Sequence, residues 1–196
     1  NGRVWRWDVS DPDPATWASK TRLLATLSAP AGGGAQPVTT NPQIEIDLNN
    51  GVDRFVFIGT GRLLDPSDLT DPSPEQIQTM YAIRDGTLEN PSYTGLPIDT
   101  RTTLASASGV AGVGAIAPNG WYNDLPLGQR IVNDPRADLN LVAYAAVSVQ
   151  PDPCLTDLPA YVYARDYVSA ESVAFPGGAQ APYFYSAGGA VGLEIG

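Results

Sequence analysis

The chain has 196 residues, of which 43% are hydrophobic, with 20 glycines, 18 prolines and a formal net charge of −10 at pH 7. This apolar content excludes a disordered chain, and the frequent glycine and proline predict short, turn-rich elements. The negative charge argues against a nucleic-acid partner, because phosphate binding needs a basic surface. The longest uncharged apolar stretch, residues 104–117, is too short and too rich in glycine and serine to span a bilayer.

Strand-forming residues cluster in runs of four to eight, and no window holds a sustained helical period, so we expect an all-β fold. Three of these runs end alike: Arg3-Val-Trp-Arg-Trp-Asp8, Met80-Tyr-Ala-Ile-Arg-Asp85 and Tyr161-Val-Tyr-Ala-Arg-Asp166. The final aspartates are 77 and 81 residues apart. The chain opens on Asn1-Gly2 without a methionine, so we also expect it to be a piece of a longer protein.

A second element repeats ahead of the later two copies. It reads Gln36-Pro-Val-Thr-Thr-Asn-Pro42 and Gln129-Arg-Ile-Val-Asn-Asp-Pro135, and each is followed by an apolar strand, at residues 54–60 and 141–147. A recurring order of short strands predicts stacked, similar sheets. Such an architecture usually presents surfaces rather than a single catalytic pocket.

The repeated strand places aromatic or β-branched residues at alternate positions. Residues with this spacing share one face of a strand, so we expect them to pack between neighbouring sheets. The expected set is Trp5, Trp7, Tyr81, Ile83, Tyr161 and Tyr163.

Several stretches, in chain order, resemble motifs of the type IV pilus tip proteins of the PilC/PilY family. Gly2-Arg-Val-Trp-Arg-Trp-Asp-Val-Ser10 resembles their G-N-V-W-R-F-D-L-S strand, and residues 36–44 resemble their Q-P-I-T-T-x-P segment. Residues 57–64, 67–69 and 78–85 are similar to F-G-T-G-K-Y-L…Q-S-F-Y-x-I-x-D. Residues 120–126, 130–135 and 152–154 resemble G-W-Y-x-D-L-P…R-V-V-x-D-P…D-P-C.

The resemblance implies a β-propeller domain at the C-terminal end of a large secreted bacterial protein. Blades are four-stranded antiparallel sheets that pack on their neighbours through both faces. We therefore expect residues 1–196 to be part of a larger propeller, with a blade end at 1–10, blades at about 36–85 and 120–172, and a possible further blade starting at 182–196. A compact β-sandwich is the alternative.

The resemblance also implies a location outside the cell, on the pilus or the outer-membrane surface. The implied partners are minor pilins or other pilus subunits and host or abiotic surfaces, with no nucleic acid and no membrane span. The family is known for a calcium loop, which would precede residue 1. Within this segment we expect no cofactor.

The residues offer little for catalysis. Histidine is absent, and the lone Cys154 has no histidine to activate it, so a Ser-His-Asp or Cys-His arrangement is excluded. The glycine-rich stretches at 32–34, 59–61 and 109–114 lack the context of a phosphate site. We therefore expect no catalytic or cofactor-binding residues and no enzyme activity.

Two acidic stretches are weak candidates for cations. Residues 47–53 place oxygens at alternate positions, as calcium loops do, but lack the distal glutamate, and a plain hairpin turn is favoured. Asp65, Asp68, Asp71 and Glu75 form a loop that is expected to be solvated. The Arg-Asp pairs at 84–85 and 165–166 are expected to cap or pair at a sheet edge. We therefore expect no metal site in any of these stretches.

Three functions fit these features. The leading hypothesis is a non-enzymatic extracellular module of a type IV pilus-associated protein, acting in pilus biogenesis and surface adhesion. The alternatives are a quinoprotein-like propeller enzyme, whose blades also repeat tryptophan-rich strands, and a purely structural scaffold.

Overall fold

The computed structural model describes residues 2–69, 77–87, 96–107, 119–149, 158–173 and 184–187. These residues form three β-sheets and three short 3-10 helices, Pro14–Lys20, Pro30–Gly32 and Pro66–Leu69, so the all-β expectation is confirmed. None of the sheets closes on itself within this part of the chain. None of the helices found there is long and apolar enough to cross a membrane.

The strands follow one another in this order: β1 (Arg3–Trp7), β2 (Thr21–Thr26), β3 (Gln43–Ile46), β4 (Asp53–Gly59), β5 (Thr79–Thr87), β6 (Ile98–Asp99), β7 (Ala105–Ser106), β8 (Gly120–Asp124), β9 (Gln129–Ile131), β10 (Arg136–Asp138), β11 (Leu141–Ser148), β12 (Ala160–Asp166) and β13 (Phe184–Ser186). Sheet I has the order β1-β2-β6, and sheet II has the order β3-β4-β5-β8-β7. Sheet III has the order β10-β11-β12-β13, with β9 beside β11.

Sheets II and III contain the same four-stranded antiparallel unit, β3-β4-β5-β8 in one and β10-β11-β12-β13 in the other. The turn between β10 and β11 needs Leu139 and Asn140 at φ values of 49° and 62°, as a tight hairpin with two left-handed residues requires. In both units the strand with the repeated Arg-Asp ending, β5 or β12, is third and is followed by one further strand.

The sheet boundaries differ from the expected blade boundaries, because one further strand follows the motif strand in each unit. Residues 120–124 form β8, which pairs with β5 in sheet II and does not open the second blade. Residues 184–186 form β13, which pairs with β12 as the fourth strand of sheet III and does not open another sheet. The sequence motif marks a third strand, not a last one. In sheet I the motif strand β1 is likewise followed by an antiparallel partner, β2.

Sheet II lies between the other two sheets and is covered on both faces. Between sheets I and II, a buried cluster joins Leu24 and Leu27 to Val56, Ile58 and other residues of sheet II. The cluster between sheets II and III is larger and includes these aromatic side chains: Phe55, Phe57, Trp121, Tyr144, Tyr163 and Tyr167. The near-continuous apolar run of β4 is therefore divided between two interfaces, with alternate residues facing opposite sheets.

The expected burial of the six repeated residues is confirmed in part. Tyr81, Ile83 and Tyr163 are buried, and Tyr161 is half-buried against the core between sheets II and III. The expectation is wrong for Trp5 and Trp7, which are 57% and 59% exposed.

The exposure of the two tryptophans follows from their place in the stack. Val4 packs into the core between sheets I and II, and Arg6 reaches Asp85 of sheet II. Trp5 and Trp7 alternate with these two residues and stay outside that core. The corresponding face of sheet II is covered by sheet I, and that of sheet III by sheet II. Among the described residues, no sheet covers this face of sheet I.

Trp121→Ala is expected to lower the free energy of unfolding by about 3–5 kcal/mol, as truncation of a buried aromatic residue does. The Trp121 side chain is fully buried, and its Nε1 donates to the Tyr167 carbonyl at 2.8 Å. Trp5→Ala is the matched control, with an expected change of about 0.5 kcal/mol or less. Denaturant-induced unfolding measures both values, and equal losses would contradict the assigned orientations.

Candidate binding groove

One feature that could bind a partner is an open groove of about 630 Å³ between sheets I and II. Strand β1 and residues 8–10 form one side, and Pro42 and Ile44 form the other. Val4, Leu24 and Val56 line the groove and also belong to the core between the two sheets. The groove is therefore the open end of an apolar interface.

Exposed apolar side chains surround the groove. Ile44 on β3 is 57% exposed, similar to Trp5 and Trp7 on β1. The Trp7 indole packs edge-on against Trp17 of the first 3-10 helix, at 5.9 Å between ring centroids, and its Nε1 donates to the Trp17 carbonyl at 3.0 Å. Large, exposed and partly anchored aromatic residues of this kind are typical of protein interaction surfaces.

A charged cluster lies at the inner end of the groove. Arg6 donates to the Asp85 carboxylate at 3.1 Å, and Arg54 lies 3.5 Å from its second oxygen. Arg54 also donates to the Asp85 carbonyl at 2.8 Å. Burial raises the pKa of the Asp85 carboxyl, and the two guanidiniums oppose this effect. Two cations thus share one buried carboxylate and connect β1 with β4 and β5.

A second concavity, of about 400 Å³, is organised by Arg101. Its guanidinium lies 4.6 Å from the ring centroid of Tyr122 and donates to these acceptors: the Ser28 carbonyl, both oxygens of Asp124, Thr79 Oγ1 and the Tyr81 hydroxyl. Because these contacts already use the guanidinium, we interpret Arg101 as a structural clamp between sheets I and II.

The predicted loop at residues 47–53 is a hairpin turn between β3 and β4. The Asp47 carboxylate accepts the Asn49 N–H at 2.9 Å, and Asn50 Oδ1 accepts the N–H groups of Val52 and Asp53. Gly51 has a φ of 68°, the left-handed conformation expected in such a turn. The oxygens therefore satisfy the backbone of the turn.

In the second acidic stretch, Asp68 is buried and bound internally. Its carboxylate accepts from Arg62 Nε at 2.9 Å and Nη2 at 2.7 Å, and from the N–H groups of Leu64 and Asp65. These contacts lower the pKa of Asp68 to about 2. Asp65 caps Ser67, whereas Asp71 and Glu75 lie outside the described residues. Across the described ranges, no group of three or more acidic, cysteine or histidine side chains could hold a metal ion.

The glycines at 59–61 are required by packing. A Cβ atom at Gly59 would lie 2.4 Å from Ile131 Cγ2, so the strand ends of sheets II and III approach too closely for a side chain. Gly32–34 include the end of the second 3-10 helix. The stretch at 109–114 and Cys154 lie outside the described residues.

The Arg-Asp pairs make pairing and capping contacts, but they lie on the interior strands β5 and β12 and not at the expected sheet edge. Arg84 pairs with Asp53 of the neighbouring strand, and Arg165 donates to the Ala170 carbonyl at 2.6 Å and to Asn123. The Asp166 carboxylate accepts the N–H groups of the turn that follows it.

Sequence reasoning missed the groove and its charged cluster. Arg6, Arg54 and Asp85 come from three strands of two sheets, and nothing local links them. The alternation of Val4 and Arg6 with Trp5 and Trp7 was a usable signal, since it separates a face that packs on a neighbouring sheet from a face that does not.

Comparison of the chain with models of protein families, with curated proteins and with solved structures gave no match. The functional interpretation therefore depends on the chemistry of the groove and on the motifs in the sequence.

Asp68→Asn is expected to flatten the acid sensitivity of the fold. Because the pKa of Asp68 is lowered from 3.8 to about 2, its contribution is present above the unfolded value and is lost as pH falls through about 2. Unfolding free energies measured between pH 7 and pH 2 should fall more steeply for the parent chain than for the variant. Parallel curves would contradict the assignment.

Added calcium is expected to leave the melting temperature nearly unchanged, because the oxygens of residues 47–53 already accept backbone N–H groups. A genuine site would add about 2.7 kcal/mol at a hundredfold excess over its dissociation constant. Thermal unfolding with and without calcium measures the difference. A rise of several degrees that disappears in Asp47→Ala would overturn this expectation.

Proposed function

We propose that this chain is a non-enzymatic, extracellular interaction module of a bacterial type IV pilus-associated protein, acting in pilus biogenesis and surface adhesion. In this proposal the three sheets are successive blades of a β-propeller, and sheet I contributes the last two strands of its blade. The observation that carries the interaction role is the groove beside β1 with its exposed rim of Trp5, Trp7 and Ile44.

The propeller part of the proposal is supported by the recurrence of strand order and packing. Sheets II and III share the same four-stranded unit, and sheet II is buried on both faces, as a blade between two others is. The same polar contact also recurs: the Tyr81 hydroxyl donates to Gln36 at 2.6 Å, and the Tyr163 hydroxyl donates to Gln129 at 2.7 Å.

The motifs that resemble the pilus tip proteins lie at positions that shape this fold. Gly120, which opens the G-W-Y motif, has a φ of 101°, and a Cβ there would lie 2.0 Å from the Ala82 carbonyl oxygen. Thr39 and Thr40 of the Q-P-V-T-T stretch donate to the carbonyls of Gly61 and Gly59. These contacts favour a shared fold as the origin of the resemblance, and the pilus role follows from the resemblance alone.

The interaction role is supported by the distribution of polar and apolar groups. Arg101 and Asp68 are bound within the protein, whereas the groove combines an apolar floor with exposed aromatic residues. Exposed apolar patches of this kind mark interaction sites in soluble proteins. A few aromatic residues usually supply most of the binding energy at such sites.

Binding of the purified chain to the minor pilins of the bacterium that encodes it tests the proposal. Biolayer interferometry should detect saturable binding, and a Trp5→Ala/Trp7→Ala variant should bind at least about tenfold more weakly, a loss of about 1.4 kcal/mol. Leu64→Ala is the matched control, because Leu64 is 78% exposed and lies outside the groove.

Absence of binding to every minor pilin, or equal affinity of the tryptophan variant, would contradict the proposed function. Absorbance of the purified protein provides an independent check. A visible or near-ultraviolet band from a bound quinone would favour the quinoprotein-like enzyme instead.

A further inference from the structure

A charged side chain is buried between sheets II and III. Arg165 of β12 is 8% exposed, and its guanidinium donates to the Ala170 carbonyl at 2.6 Å and to Asn123 Oδ1 at 3.2 Å. Both acceptors are neutral groups. Among the described residues, no carboxylate forms an ion pair with Arg165. A buried guanidinium in this situation has lost its hydration and has gained no opposite charge in return.

The Nε atom of Arg165 is also without a hydrogen-bond partner. It is shielded from solvent, and no acceptor in the described part of the chain lies within reach. The guanidinium is planar, so its two bonded nitrogens fix the direction of the Nε–H group. Buried donors are rarely left without an acceptor in native proteins. One donor and one positive charge therefore remain unsatisfied at this place.

A second donor lies beside the guanidinium. The Asn123 side chain joins the two, since its Oδ1 accepts from Arg165 and its Nδ2 donates to the Tyr144 hydroxyl at 2.9 Å. Tyr144 is fully buried, and burial raises the pKa of its hydroxyl, which keeps its proton at neutral pH. Within the described ranges, that proton has no acceptor. Asn123, Tyr144 and Arg165 are called the Arg165 cluster below.

The two four-stranded units show that the fold does not require a charge here. Tyr81 of sheet II and Tyr163 of sheet III are equivalent, since each donates its hydroxyl to a glutamine. Two residues further on, sheet II has Ile83 where sheet III has Arg165. Opposite the equivalent tyrosine, sheet II has Ile58 and sheet III has the tyrosine of the Arg165 cluster. Polar groups thus replace two buried isoleucines in this interface.

We propose that the Arg165 cluster binds a small monovalent anion, a halide such as chloride, between sheets II and III. The anion accepts from Arg165 Nε and from the Tyr144 hydroxyl, and it neutralises the guanidinium. Asn123 belongs to sheet II and holds both donors of sheet III, so the bound ion stabilises the contact between the two sheets. This inference goes beyond the proposed function, because it assigns a ligand to the interior of the stack and holds whether or not the partner is a pilin.

Thermal unfolding of the full chain in sodium chloride tests the inference. Sodium gluconate replaces the chloride at constant ionic strength, because gluconate is too large for a buried site. A ligand that binds only the folded state favours folding about hundredfold when its concentration is about a hundred times its dissociation constant. We therefore expect the melting temperature to rise by several degrees as chloride replaces gluconate.

Arg165→Met should abolish this chloride dependence, because it removes the charge and the Nε donor. The equivalent Ile83 shows that an apolar side chain is compatible with the unit at this position. Tyr144→Phe keeps the ring that stacks on Tyr163 at 5.0 Å between centroids, and it should weaken the apparent chloride affinity at least about tenfold. Arg22→Met is the matched control and should keep the full dependence, since Arg22 is exposed and lies in sheet I.

Crystals grown in sodium bromide locate the ion directly, because bromide scatters X-rays anomalously. We expect an anomalous peak within hydrogen-bond distance of Arg165 Nε and the Tyr144 hydroxyl. Three results would overturn the inference: equal melting temperatures in chloride and gluconate, unchanged chloride dependence in Arg165→Met, or no bromide peak at the Arg165 cluster. None of these measurements involves a pilin, so failure here and failure of the pilin-binding experiment can be told apart.

Discussion

The simultaneous burial of both faces of sheet II is the constraint on which the rest of the structure depends. Strand β4 directs Phe55 and Phe57 toward sheet III, and Val56 and Ile58 toward sheet I. Each such side chain contributes about 1.5–3 kcal/mol when it is fully buried, so neither neighbouring sheet is dispensable. The same constraint explains the groove, because among the described residues sheet I has fewer strands than sheet II and leaves part of the face of sheet II open.

Polar contacts repeat along with the apolar ones. Gln36, which precedes sheet II, and Gln129, which begins β9 of sheet III, lie 93 residues apart. Each accepts a tyrosine hydroxyl from the third strand of the four-stranded unit in that sheet. Asn41 and Asp134 share this spacing and contact each other, with the Asp134 carboxylate accepting the Asn41 N–H at 2.8 Å and its side-chain amide at 2.9 Å. Equivalent turns of successive units are therefore joined directly, which fixes how one sheet sits on the next.

The sequence was sufficient for the fold class, the repeated strand and the burial of Tyr81, Ile83 and Tyr163, because alternation and repetition are local properties. It was insufficient for the sheet boundaries. The pairing of β5 with β8 joins segments that lie far apart along the chain, and the motif does not reveal whether another strand follows it. The sequence was also insufficient to predict the exposure of the Trp5 and Trp7 side chains, since the exposure of a strand face depends on what covers it. The groove was not predictable for the same reason.

The short connection between β8 and β9 has a mechanical consequence. Asp124 ends a strand of sheet II and Gln129 begins a strand of sheet III, so five peptide units join the two sheets. Fully extended, such a tether spans about 17 Å, while packed sheets lie about 10 Å apart. A tether of this length reaches across the interface but permits only a small separation. It therefore keeps the two sheets at a high effective concentration, so that they re-associate readily whenever the interface between them opens.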